Sequence, residues 1–202
     1  LEIIMTNRNS PSATQFATFL KLAIIALSAS GAAGTMTRNA NAQEFRLSSE
    51  ALRGTFTADQ YWNTFGCSGK NESPDLIWRN PPAGTKSFAI TFYDKDAPTG
   101  SGFWHWLVYN VPANVNRLDA GAMSQAKLPD GAVEANTDLG KPGYFGPCPP
   151  IGRKHTYTFT VYALKTEKLD IPAGATAAFV GFNLWQHTIA KATLTATAGP
   201  RK

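Results

Sequence analysis

The chain of 202 residues carries 19 Lys and Arg against 14 Asp and Glu, a net charge of +5. Its basic residues form no block able to follow a phosphate backbone, so nothing in the sequence supports nucleic-acid binding. Small anions remain suitable partners, because one or two well-placed cations or dipoles suffice to hold them.

The first 42 residues read as a secretory signal. A polar start with Arg8 and Lys21 runs into Leu22, Ala23, Ile24, Ile25, Ala26 and Leu27, then into small residues, and closes on Ala40-Asn41-Ala42 before Gln43. An uncleaved anchor is the competing reading, but the apolar run is interrupted and falls short of the roughly 20 residues a spanning helix needs. Cleavage after Ala42 leaves one domain, 43–202, of 160 residues with 16 Lys and Arg and 13 Asp and Glu. That length is enough for a substantial core. No membrane span is expected in the mature chain, which is read as periplasmic or secreted.

Strand signals dominate the mature chain. Short strands are expected at 45–48 and at 76–78, the latter ahead of an Asn80-Pro81-Pro82-Ala83-Gly84 turn. Residues 85–93 alternate, with Phe88, Ile90 and Phe92 on one face, and a second aromatic and β-branched run covers 103–111, stopped by Pro112. Dense Gly, Pro and Asn from 130 to 152 predict a long loop. The clearest strand is 155–164, with Tyr157, Phe159 and Val161 on one side and threonines on the other. The spacing of Phe179, Phe182 and Leu184 predicts one helix over 173–188, weakened by Gly181, and a last strand follows at 192–198. The total is an all-β-dominated domain of sandwich or Greek-key type with one short helix near its C-terminus.

Two cysteines, Cys67 and Cys148, in a chain read as exported point to a single disulfide. An unstrained bridge over that span contributes ~2 to 4 kcal/mol. The competing reading is a free catalytic thiol at Cys148.

The polar residues that carry chemistry cluster in sequence. Asp94-Lys95-Asp96-Ala97-Pro98 ends the strand at 85–93, Trp104-His105-Trp106 lies on the next, and Gly146-Pro147-Cys148-Pro149-Pro150 precedes Gly152-Arg153-Lys154-His155-Thr156-Tyr157. In order and spacing, together with Cys67-Ser68-Gly69-Lys70-Asn71-Glu72-Ser73-Pro74, these stretches resemble the phosphatidylethanolamine-binding protein family, and more closely its bacterial Raf kinase inhibitor-like branch. The resemblance implies a β-sandwich with a small anion pocket at one end, taking phosphate-like groups or phospholipid headgroups. It places Asp94 as the first pocket aspartate, with Asp96 beside it, His105 as the pocket histidine of the following strand, Pro149 and Pro150 as a proline wall, and His155 and Tyr157 as the second histidine and the tyrosine. Two positions depart from the family pattern: Lys95 stands where proline is usual, and Thr156 where an arginine is thought to brace the aspartate segment. Lys95, Arg153 and Lys154 are then the available charges at the rim.

Physical reasoning on the same residues gives a matching expectation. Two imidazoles donate to an anion, more strongly when protonated, and Asp94 orients a histidine instead of meeting the anion. Affinity is therefore expected to rise as pH falls. Duller roles compete: His105 as a sheet histidine, Asp96 as a cap for the 97–100 turn, His187 as surface or core, and Trp78, Trp104 and Trp106 as core, with Trp104 reaching the pocket edge.

Three functions follow. The first is a non-enzymatic binder of small anions or headgroups without cofactor or metal, since no Gly-x-Ser-x-Gly, His-Glu-x-x-His or Cys-x-x-Cys motif occurs. The second is a protease inhibitor or other protein-interaction partner. The third is a hydrolase with a metal held by His105, His155 and Asp94.

Overall fold

The computed structural model describes residues 43–122 and 127–202; the expected signal segment lies outside them. In chain order the elements are β1 (Arg46–Ser48), β2 (Leu76–Arg79), β3 (Ser87–Asp94), β4 (Phe103–Pro112), β5 (Arg117–Leu118), β6 (Val133–Glu134), β7 (His155–Leu164), α1 (Ala177–His187) and β8 (Thr188–Ala198). They form two antiparallel sheets, one of order β1-β2-β5 and one of order β6-β4-β3-β7-β8. In the larger sheet β3, β4 and β6 follow one another outward while β7 returns to the other side of β3, which is the Greek-key order expected.

The alternation read in β3 and β7 decides how the sheets pack. Phe88, Ile90 and Phe92 of β3 and Tyr157, Phe159 and Val161 of β7 face the small sheet, where Leu47, Leu76, Trp78 and Leu118 close the core. Phe92 lies at its centre, stacked on Phe159 with centroids 4.1 Å apart and on Tyr144 at 5.3 Å. Such aromatic pairs contribute ~0.5 to 1.5 kcal/mol each beyond the area they bury.

The opposite face of the larger sheet is covered by α1. Ala177, Val180 and Leu184 pack on Ala89, Leu107 and Leu164. The helix starts later than its apolar spacing suggested because Gly174 adopts φ 78° and Thr176 caps the first turn, its hydroxyl accepting from the Phe179 N–H at 3.3 Å. It also ends in a strand without a loop: Thr188 donates its N–H to the Leu184 carbonyl and begins β8, four residues earlier than expected. Phe182 and Trp185 on the outward side of α1 remain exposed. No helix among the described residues is long and apolar enough to cross a membrane.

The expected loop over 130–152 is irregular apart from the two residues of β6. It is held by specific bonds. Asn71, at φ 58°, donates its side-chain amide to the Tyr144 carbonyl at 3.1 Å and accepts from the Gly146 N–H at 2.8 Å. Gly146 is required there, because a Cβ would run into the Gln60 carbonyl oxygen.

Candidate functional site

The site lies where β3, β4 and β7 end together. Register aligns Asp94 with Phe103 on one side and with Tyr157 on the other, so one row across three strands supplies a carboxylate flanked by two aromatic rings. His155 sits two residues before Tyr157, on the same face of β7.

His105 reaches that face by a bulge. Phe92 pairs with Trp106 and Tyr93 with Trp104, leaving His105 as the extra residue of β4. Its ring then turns inward, 5.2 Å from the Phe92 centroid and 5.4 Å from that of Tyr157. The same slip lets Trp106 enter the core, and leaves Trp104 on the far face against Tyr93. Trp104 therefore does not reach the pocket edge as expected.

Hydrogen bonds fix the polar atoms. His155 Nδ1 lies 2.7 Å from Asp94 Oδ2, both side chains buried, and the ring nitrogen donates to the carboxylate. Asp94 Oδ1 accepts the Asp96 N–H at 2.9 Å. His105 Nδ1 lies 2.7 Å from the Phe145 carbonyl oxygen, which can only accept, so Nδ1 carries the hydrogen and Nε2 is a lone-pair acceptor. Burial pushes the His105 imidazole down to about 4, although the Phe145 carbonyl and the Asp94 charge favour the proton. Burial and then the neighbouring Asp94 charge raise the Tyr157 phenol well above its ordinary range, so it remains a neutral donor. The expectation that both imidazoles donate is thus revised for His105, whose Nε2 accepts; His155, with Nδ1 committed to Asp94, offers a donor through Nε2 only as the imidazolium.

A cavity of about 220 Å³ opens onto these atoms. Asp94, His105, His155 and Tyr157 form its polar floor, and its walls are Trp62, Phe65, Phe103, Leu139 and the Ala97-Pro98-Thr99 loop, with Cys148 and Pro150. Of the seven residues expected at the site, Asp94, His105, His155, Tyr157 and Pro150 line this cavity. Asp96 and Pro149 do not. Asp96 accepts the Thr156 N–H at 2.7 Å and pairs with Lys95 Nζ at 2.6 Å, so it ties the β3 end to β7 and sits in a neighbouring groove. Pro149 is buried behind the wall. His187 lies in the last turn of α1, bonded through Nδ1 to the Asn183 carbonyl and outside the cavity.

Cys67 and Cys148 are joined in a disulfide, and no free cysteine occurs among the described residues, so the free-thiol reading of Cys148 is set aside. The bond links the loop carrying Trp62 and Phe65 to the proline turn, and thus two walls of the cavity. Arg201 braces the same walls: Nε donates to the Pro149 carbonyl at 2.6 Å and Nη1 to the Gly66 carbonyl at 2.7 Å. Sequence reading missed Trp62, Phe65, Phe103, Leu139 and Arg201. Proximity of Phe65 to Cys67 was the one available hint. Among the described residues no group of three or more His, Cys, Asp and Glu is placed to hold a metal ion.

The chain is thus a two-sheet β-sandwich with a buried Asp–His pair on the floor of a cavity at one end. The family model for phosphatidylethanolamine-binding protein matches residues 52–199, and the chain belongs to that family. It is 47% identical to Escherichia coli YbcL over 165 residues, covering 79% of this chain and 90% of that protein, and 51% identical to E. coli YbhB over 136 residues, covering 67% and 86%. The crystal structure of E. coli YbcL, described as a new member of the mammalian PEBP family, superposes with a TM-score of 0.74 at 45% identity, over 77% of this chain and 98% of that one. A Mycobacterium tuberculosis relative named as a lipoprotein, LppC, is 37% identical over 113 residues, covering 55% of this chain and 52% of that protein.

Proposed function

We propose that the chain is an exported, non-enzymatic binding protein whose cavity takes a phosphoryl group, as inorganic phosphate or a phospholipid headgroup such as phosphoethanolamine. The buried Asp94–His155 pair at the cavity floor carries this reading. Each oxygen of Asp94 already accepts a hydrogen bond, so its charge supports His155 more than it repels a ligand. As the imidazolium, His155 donates through Nε2 to a phosphoryl oxygen while His105 Nε2 accepts from a P–O–H. A singly protonated phosphate offers both. At about 220 Å³ the cavity falls below the ~300 Å³ typical of larger ligand pockets, which suits a headgroup and leaves acyl chains outside.

Export of residues 43–202 after removal of the first 42 as a signal is part of the same reading, supported by the disulfide. The lipoprotein name of the mycobacterial relative is consistent with it. Calorimetric titration of phosphate and O-phosphoethanolamine tests the site. Saturable binding lost in His155→Ala and weakened in Asp94→Asn is expected; absence of binding, or binding indifferent to both changes, would overturn it.

One observation favours a protein-interaction role as a second reading: Phe182 and Trp185 stand exposed on α1, stacked 6.1 Å apart. Capture of a single partner by a route insensitive to pocket substitutions but lost in Trp185→Ser would support it.

A further inference from the structure

We infer that the groove beside the cavity is a second anion subsite, so that the preferred ligand carries a carboxylate or second phosphate in addition to its phosphoryl group. This rests on the phosphoryl reading of the cavity. The groove, of about 460 Å³, is lined by Asp96, Pro98, Pro150, Arg153, Lys154 and His155. Pro98, Pro150 and His155 also line the cavity, so the two spaces share one partition. A ligand seated against His155 has only that partition between it and the two cations.

The charges on the groove do not cancel. Asp96 is its one carboxylate, and both its oxygens are engaged, one by Lys95 Nζ and one by the Thr156 N–H. Among the described residues no carboxylate pairs with Arg153 or Lys154, and both are exposed. Their backbone is held in place: Arg153 donates its N–H to the Pro150 carbonyl at 3.0 Å, and Gly152, at φ 74°, donates to the Arg201 carbonyl at 2.9 Å. Two uncompensated cations on a fixed turn beside a phosphoryl-sized cavity suit phosphoserine-like chemistry, whose carboxylate they can meet, better than phosphoethanolamine, which carries the ammonium without the carboxylate.

That chemistry has two sources, a free phosphomonoester or the diester headgroup of a serine phospholipid. The test titrates O-phosphoethanolamine, O-phospho-L-serine and glycerophosphoserine by calorimetry against the wild-type chain, Arg153→Gln/Lys154→Gln, and Lys165→Gln/Lys168→Gln. The last variant removes the same charge beyond the far end of β7. Wild-type protein should prefer O-phosphoserine by roughly threefold to tenfold at low salt, the range two exposed charge contacts supply. The preference should fall to near one in the first double variant, persist in the second, and fade at about 0.5 M salt. Glycerophosphoserine sharing the preference supports the proposal with a headgroup as source; preference confined to the monoester supports it with a free metabolite as source. Equal affinities in the wild type, or a preference unchanged in Arg153→Gln/Lys154→Gln, would overturn the second subsite while leaving the cavity reading intact. Failure of all three probes to bind would overturn both.

Discussion

His155 donates its Nδ1 hydrogen to Asp94 Oδ2 across 2.7 Å, joining the ends of two adjacent central strands through side chains withdrawn from water. Replacing Asp94 by Asn keeps an acceptor in place but removes the charge. Phosphate affinity is expected to fall about tenfold or more, the scale of a charge-assisted bond. Asp94→Ala should in addition cost ~3 to 5 kcal/mol of stability, because it leaves His155 buried without its partner. Calorimetry and urea denaturation separate the two effects.

His105 makes stability depend on pH in a defined window. Its folded-state value of about 4 lies below the ordinary 6.5, so the unfolded chain binds this proton more readily between those two values. Stability from this residue is complete above about pH 6.5 and is lost as pH falls toward 4, by about 3 kcal/mol in all. Hydrogen bonds that lower Asp75 and Asp96 act below the ordinary carboxylate range, and so at more acid pH. Denaturant midpoints measured from pH 7 to 4 should show the loss in the wild type and a much flatter profile in His105→Asn. Nitrogen chemical shifts of a neutral His105 ring at pH 5.5 provide an independent check.

Reduction of Cys67–Cys148 is expected to lower stability by ~2 to 4 kcal/mol, since it frees a span of 81 residues. It should also weaken phosphate binding, because the bond joins the Phe65 loop to the Pro150 side of the cavity. Thermal melts and titrations of Cys67→Ser/Cys148→Ser, compared with the oxidised wild type, measure both. An unchanged affinity would show that the loop holds its place without the bond.

Arg201 contacts two carbonyls that no shorter or less planar side chain spans at once. Arg201→Ala is expected to cost ~1 to 3 kcal/mol and to raise hydrogen exchange at Phe65, Gly66 and Cys67. Arg201→Lys should recover only part of the loss.

Much of the fold was legible in the sequence because its central strands alternate cleanly. Phe88, Ile90 and Phe92, and Tyr157, Phe159 and Val161, stood on the faces they occupy. The bulge was not legible: alternation alone puts Trp106 opposite His105, whereas one unpaired residue brings both inward. β5 and β6 escaped notice because two-residue strands carry no period. At the site, Asp94, His105, His155 and Tyr157 were findable as polar or aromatic residues at strand ends. Asp96 stands in the adjoining groove instead of the cavity, which its residue type alone does not tell. Trp62 and Leu139 come from distant loops and Arg201 from the last strand's exit, and only tertiary packing brings the first two to the cavity and the third to the back of its walls.

The extra residue in β4 has a consequence for how this architecture varies. It absorbs the mismatch between β3 and β4 at Trp104–Trp106, and a second register shift lies deeper, between the pairs Phe88–Val111 and Ile90–Val108, while Trp106, Val108 and Val111 stay in the core. The hairpin tip from Lys95 to Gly102 can therefore gain or lose residues without shifting a core side chain. Ligand selectivity can drift at that rim while the interior stands still.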